Sequence, residues 1–229
     1  MTSNPSSFRG PFIVVTTLFF MWGFITVMVD AFVPRLKDVF ELNLLQAGLV
    51  QFAWFAAYGI LSIPGGNLID RIGYKKGILV GLGLAALGCL LFYPAAETRI
   101  YVLFLLALFV VAGGITILQV AANPYISVLG APETASSRLN LAQAFNSLGT
   151  TIAPIVAASF LLGDQILTAD EQAALSSADL ETYRLSEAAA VQGPFVFLAL
   201  GFLVLAVLIG LSKLPRILGG KLPGGMAQA

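Results

Sequence analysis

Histidine is absent from all 229 residues, and cysteine occurs once, as Cys89 inside an apolar run. Without histidine, the commonest proton relay and the commonest metal ligand are both excluded. A single cysteine supports neither a disulfide framework nor a thiolate metal site. Charge is scarce as well: 10% of residues are charged, against about 25% in soluble domains. Lysine plus arginine, 12, equal aspartate plus glutamate, 12, so no basic excess points to nucleic acid. Serine hydroxyls have no histidine to activate them. An aspartyl mechanism wants paired carboxylates, and Asp30 is the one carboxylate within an apolar segment. These absences rank an intramembrane enzyme last, and no cofactor is expected.

What remains is apolar: 58% of the residues, with a mean hydropathy of +0.91. Crossing the hydrocarbon core takes about 20 apolar residues. Six segments qualify, at roughly Pro11–Val33, Leu44–Ile69, Gly77–Ala96, Ile100–Val128, Leu139–Leu162 and Ala189–Leu211. The sequence therefore predicts an all-α polytopic membrane protein with six transmembrane helices. Residues 1–10 form an amino-terminal tail without a cleavage site, 11–211 the six-helix domain, and 212–229 a Gly- and Pro-rich linker-like tail. Connections are short except 163–188, which is polar and has room for a short amphipathic helix.

Alternating the spans puts Arg9, Arg71, Lys75, Lys76, Arg138, Lys213, Arg216 and Lys221 on one side. Arg35, Lys37, Arg99 and Arg184 fall on the other. Cation-rich short loops stay inside, so both termini are expected in the cytoplasm of a bacterial-type inner membrane. The richest loop is GNLIDRIGYKKG, Gly66 to Gly77, expected to join two helices lying side by side. Its Gly66, Asp70, Arg71, Gly73, Lys75 and Lys76 spacing resembles the loop between the second and third helices of the major facilitator superfamily. Glycines permit a tight turn and close helix approach. The carboxylate suits a helix N-terminus and the cations suit anionic lipid.

Polar groups inside the spans are few. Asp30 lies in the outer third of the first span, four residues before Pro34. A carboxylate at membrane depth is expensive and is by default a candidate for carrying ions. The blander reading pairs it with Arg35 or Lys37. Gln119 and Asn123 sit at i and i+4, on one face of the fourth helix. Asn140, Gln143 and Asn146 recur every third residue on the fifth. Amides offer donors and an acceptor, which suits sugar hydroxyls, and Trp22, Trp54 and Tyr58 could stack on a sugar ring. The alternative for the amides is helix–helix bonding, and for the aromatics core or belt packing.

ILQVAANPYISVLG, Ile117 to Gly130, and RLNLAQAFNSLG, Arg138 to Gly149, resemble the fourth and fifth helices of the fucose–proton symporter family, its glucose/galactose branch in particular. The resemblance runs from the first helix through the sixth and implies the amino-terminal half of a major facilitator fold. It matches Asp30 to the family's acidic residue in the first helix, and Gln143 and Asn146 to polar positions of the fifth. Where the fucose symporters carry a glutamate, this chain has Gln119, so coupling would rest on Asp30 with a proton or on sodium. Family members have about twelve helices in two similar halves around a midplane site. Six helices line one wall. The expected function is therefore sugar transport by alternating access, ion-coupled, after pairing with a second copy or a separately encoded half. In a homodimer, Asp70 would face the start of the partner's fifth helix at Ser136, Ser137 and Arg138. The rival readings are a sugar-binding membrane sensor or assembly partner, and a truncated fragment.

Overall fold

The computed structural model describes residues 9–39, 42–161, 167, 169–212 and 214; the side chains of 9, 32–39, 159–161, 169–170 and 188–191 are outside that description. The predicted tails at 1–10 and 212–229, with Lys213, Arg216 and Lys221, fall largely outside it.

Six long helices form the described body: α1 Arg9–Val39, α2 Leu44–Ile72, α3 Tyr74–Thr98, α4 Tyr101–Val128, α5 Ala135–Leu161 and α7 Ser177–Leu211, with a short α6 at Ala169–Ala173. Among the described residues, five of these are long and apolar enough to cross a membrane. The exception, α5, has the length but carries the amides and hydroxyls of ASSRLNLAQAFNSLGTT. Its polarity belongs to the site described below.

Most helices outrun their apolar segments, because backbone hydrogen bonding continues where the hydrocarbon stops. α1 runs through Pro34 to Val39. The polar 177–188 stretch, expected within a long connection with room for a short amphipathic helix, is the first third of α7. It starts at Ser176, whose Oγ accepts from the Asp179 amide at 3.2 Å. At the start of α2, Asn43 and Gln46 cap each other reciprocally: Oδ1 accepts from the Gln46 amide at 2.9 Å, and Oε1 from the Asn43 amide at 3.0 Å.

The Gly66–Gly77 loop contracts to one residue. α2 continues to Ile72 and α3 begins at Tyr74, leaving Gly73 between them with φ 83°. Only glycine takes that conformation without strain. The two helices it joins were expected side by side; instead both pack chiefly on α4 and meet each other sparsely. Gly66 fronts open space, and Gly77 makes the close approach instead, against Ile69 and Ala121.

α4 is the centre of the bundle, packed by α3, α2 and α5. Its buried side is almost continuous from Val111 to Leu118. Gly114 and Gly81 bring α3 and α4 to backbone contact, since a Cβ on Gly114 would strike the Ala85 amide. α7 packs on α3, where Phe92 and Phe195 stack at 3.9 Å. α1 packs on α5, with Gly149 set against the Phe20 carbonyl. In a membrane without a hydrophobic drive between helices, such small-residue contacts carry the packing.

Candidate functional site

α2 and α5 stand on opposite flanks of α4, and a row of polar side chains follows α4 between them. Gln119 Nε2 donates to the Tyr58 hydroxyl oxygen of α2 at 2.8 Å. One turn on, Gln143 Nε2 of α5 donates to Asn123 Oδ1 at 3.3 Å. The pair at i and i+4 thus reaches a helix on each side. An amide so held still has unused donors and acceptors, and Gln119, Asn123 and Gln143 all remain half-exposed. Among its described residues, α4 carries no charge.

Asp30, on α1, is exposed. The suggested partners Arg35 and Lys37 have side chains outside the described set. Exposure of a carboxylate on a membrane-spanning helix is costly against lipid. The face therefore wants water or protein over it.

The other predicted positions divide. Asn146 donates to the Phe19 carbonyl of α1 at 2.9 Å and lies against Gly23, so it ties α5 to α1. Asn140 is exposed one turn toward the α5 start. Trp22 is only 7% exposed and meets Phe19 edge-on, with ring centroids 5.4 Å apart, as a core residue does. Trp54 stands beside Tyr58, with centroids 6.4 Å apart.

At the end where Gly73 lies, Asp70, Arg71 and Lys76 are exposed. Lys75, expected to face lipid, turns into the bundle instead. It donates to the carbonyls of Gly210 at 2.9 Å and Ser212 at 2.7 Å, closing the C-terminal end of α7. Arg138 is engaged within its own chain. Nε donates to the Ile126 carbonyl at 3.2 Å, one Nη to the Ala131 carbonyl at 2.9 Å and the other to the Ser127 carbonyl at 2.5 Å. The expected bond to a partner's Asp70 would compete with these. Ser136 and Ser137 at the start of α5 remain exposed.

Two features escaped the sequence. Tyr58 reads there as a stacking ring, and its hydroxyl is what joins α2 to the amide row. Glu187, just outside the sixth apolar span, is a carboxylate buried in the bundle, at 5% exposure. Only its place just before the apolar run could have flagged it.

Comparison with known proteins gives one consistent picture. The sequence profile of the Major Facilitator Superfamily matches residues 11–223. A glucose/galactose transporter of Brucella abortus is 51% identical over 216 residues, covering 94% of this chain and 49% of that protein. The L-fucose-proton symporter of Escherichia coli is 40% identical over 208 residues, covering 90% and 48%. A crystal structure of the fucose symporter FucP in the outward conformation superposes with a TM-score of 0.86 at 40% identity, covering 92% of this chain and 51% of that one. The chain spans about half the length of the curated relatives it matches.

Proposed function

This chain belongs to the Major Facilitator Superfamily, a family of transporters and not of enzymes, and we propose that it forms the sugar-facing wall of an ion-coupled sugar transporter. The wall works by alternating access against a second six-helix unit. The observation that carries this reading is the amide row. Gln119, Asn123 and Gln143 bond to side chains and stay half-open on a membrane face, together with Asp30. Asn146, by contrast, spends its donor on the Phe19 carbonyl of α1. The relatives, a glucose/galactose transporter and an L-fucose-proton symporter, support hexose or fucose-type sugars as substrate.

In this reading Asp30 loads the coupling ion, a proton or sodium, and the amides receive sugar hydroxyls. Losing one buried hydrogen-bond partner costs about 1–3 kcal/mol, a roughly ten- to hundredfold loss of affinity. Gln119→Ala and Gln143→Ala should weaken binding of glucose, galactose or fucose by that order. Normal binding in both variants would make these amides packing groups. Asp30→Asn should abolish accumulation against a gradient in proteoliposomes while sparing exchange.

The second unit is proposed to be another copy or a second six-helix chain. Asp70 and Ser137 are both exposed at the same end of the bundle. A carboxylate there can face the N-terminus of a partner's α5, a term of about 0.3–1 kcal/mol. Cysteines at these two positions should cross-link between copies. Sugar binding without flux in every assembly would favour the sensor reading.

A further inference from the structure

We propose that Tyr58 is a positioning residue: by holding the nitrogen end of the Gln119 amide, it makes the sugar face distinguish hydroxyls that donate from hydroxyls that accept. The proposal rests on the transport reading above. Tyr58 is on α2 and Gln119 on α4, 61 positions apart, and Nε2 donates to the phenol oxygen at 2.8 Å. An amide has a donor end and an acceptor end of nearly the same shape, and its terminal torsion is loosely set. A partner on one end therefore decides which end is left for a ligand. With Nε2 turned to Tyr58, Oε1 is the free corner, and an amide oxygen only accepts. One turn on, the sense reverses. Asn123 spends Oδ1 on Gln143 Nε2 at 3.3 Å, which leaves its Nδ2, a donor.

Both free ends are accessible. Among the described residues, the buried side-chain polar atoms without a partner are the hydroxyls of Thr16 and Thr26. Gln119 Oε1 and Asn123 Nδ2 make no hydrogen bond among those residues and are absent from that pair, so they reach the open surface. Residues at i and i+4 hold their Cβ atoms about 5–6 Å apart, so the two ends meet different hydroxyls of one sugar ring. The hydroxyl facing Gln119 has to give its hydrogen, and the hydroxyl facing Asn123 has to accept one. Fluorine in place of a hydroxyl accepts weakly and donates nothing, whereas a hydrogen there does neither. Comparing the two replacements therefore reads the sense of each end.

The test is binding of mono-deoxy and mono-fluoro analogues to the full-length protein in proteoliposomes, using whichever of glucose, galactose and fucose binds. At the position that Gln119→Met desensitises, both forms should lose affinity alike, by about tenfold or more, the size of one hydrogen bond. At the position that Asn123→Ala desensitises, the fluoro form should bind better than the deoxy form. In Tyr58→Phe the released amide turns freely, so the fluoro form at the Gln119 position should recover relative to the deoxy form. A wild type that favours the fluoro form at that position overturns the proposal, as does a Gln119→Met that changes no position. A Tyr58→Phe that weakens every analogue by the same factor makes Tyr58 a plain contact and overturns it too. Should Tyr58→Phe fail to fold, Gln119→Glu in alkaline buffer sets oxygen at both corners and should keep the wild-type pattern. An altered pattern there means that nitrogen faced the sugar. Melts without sugar check the bond itself: Tyr58→Phe and Gln119→Met together should cost no more than the larger single loss. Additive losses with sugar binding intact sink this proposal alone. If none of the three sugars binds, the transport reading falls and takes the proposal with it.

Discussion

The Lys75 ammonium donates to the Ser212 carbonyl at 2.7 Å, across 137 positions of sequence. With the Gly210 carbonyl as a second acceptor, it neutralises the negative end of α7 and fastens it to the turn between α2 and α3. A cation from the charged loop is thereby a structural bolt between two distant parts of the chain.

Removing that bolt should show in stability. Hydrogen bonds from charged donors and a cation at a helix C-terminus are each worth on the order of 1 kcal/mol when half-exposed. Lys75→Met should lower the unfolding temperature in detergent, and Lys75→Arg should restore most of the loss. An unchanged melt for Lys75→Met would mean solvent replaces the contact freely.

The α1–α5 seam depends on Gly149. A Cβ there would meet the Phe20 carbonyl oxygen and the Phe24 amide, both backbone and unable to yield. Gly149→Ala should cost about 1–3 kcal/mol by overpacking. Gly83→Ala, which meets nothing within 4 Å, should be neutral or better. Equal behaviour of the two variants in a thermal melt would refute the close approach.

At the opposite end of the bundle from Lys75, Arg99 pairs with Glu181. The Arg99 hydrogen bond holds Glu181 below the usual carboxylate range. A carboxyl depressed in the folded state stabilises fully above its ordinary range, and that contribution is lost as pH falls through the folded value. Glu181→Gln should therefore melt below the parent at neutral pH, and the gap should close on acidification. A gap that persists or widens in acid contradicts the pair. Its size stays small, because both groups are exposed to water.

Membrane sidedness has its own check. Ser177 is exposed at the start of α7, whereas Ser176 caps that helix and is better left intact. Ser177→Cys should react with an impermeant thiol reagent added outside intact cells. Native Cys89 is buried and should stay silent. Labelling only after lysis would invert the orientation drawn from the cation distribution.

Much of this protein was legible in order along the chain. Six apolar runs sufficed for the helices, because a backbone in hydrocarbon must satisfy its own hydrogen bonds and a helix does so within one segment. The polarity of α5, which keeps it from qualifying as a membrane span by itself, was visible as its amide stripe. The i, i+4 spacing of Gln119 and Asn123 placed them together for the same local reason.

Which groups those amides meet was decided by tertiary structure alone. Gln143 and Asn146, three residues apart on one helix, part ways: the first reaches Asn123 on α4 and the second the Phe19 carbonyl on α1. Lys75 reads in sequence as one cation among several, yet it is the one that finds the end of α7. Tyr58 shows an aromatic ring in the sequence and a hydrogen bond in the fold. Helix and span are set by hydrogen bonds and apolar runs that the chain carries locally. Partners are set by how small residues such as Gly149 and Gly114 let particular helices approach, and that distance is a property of two segments together.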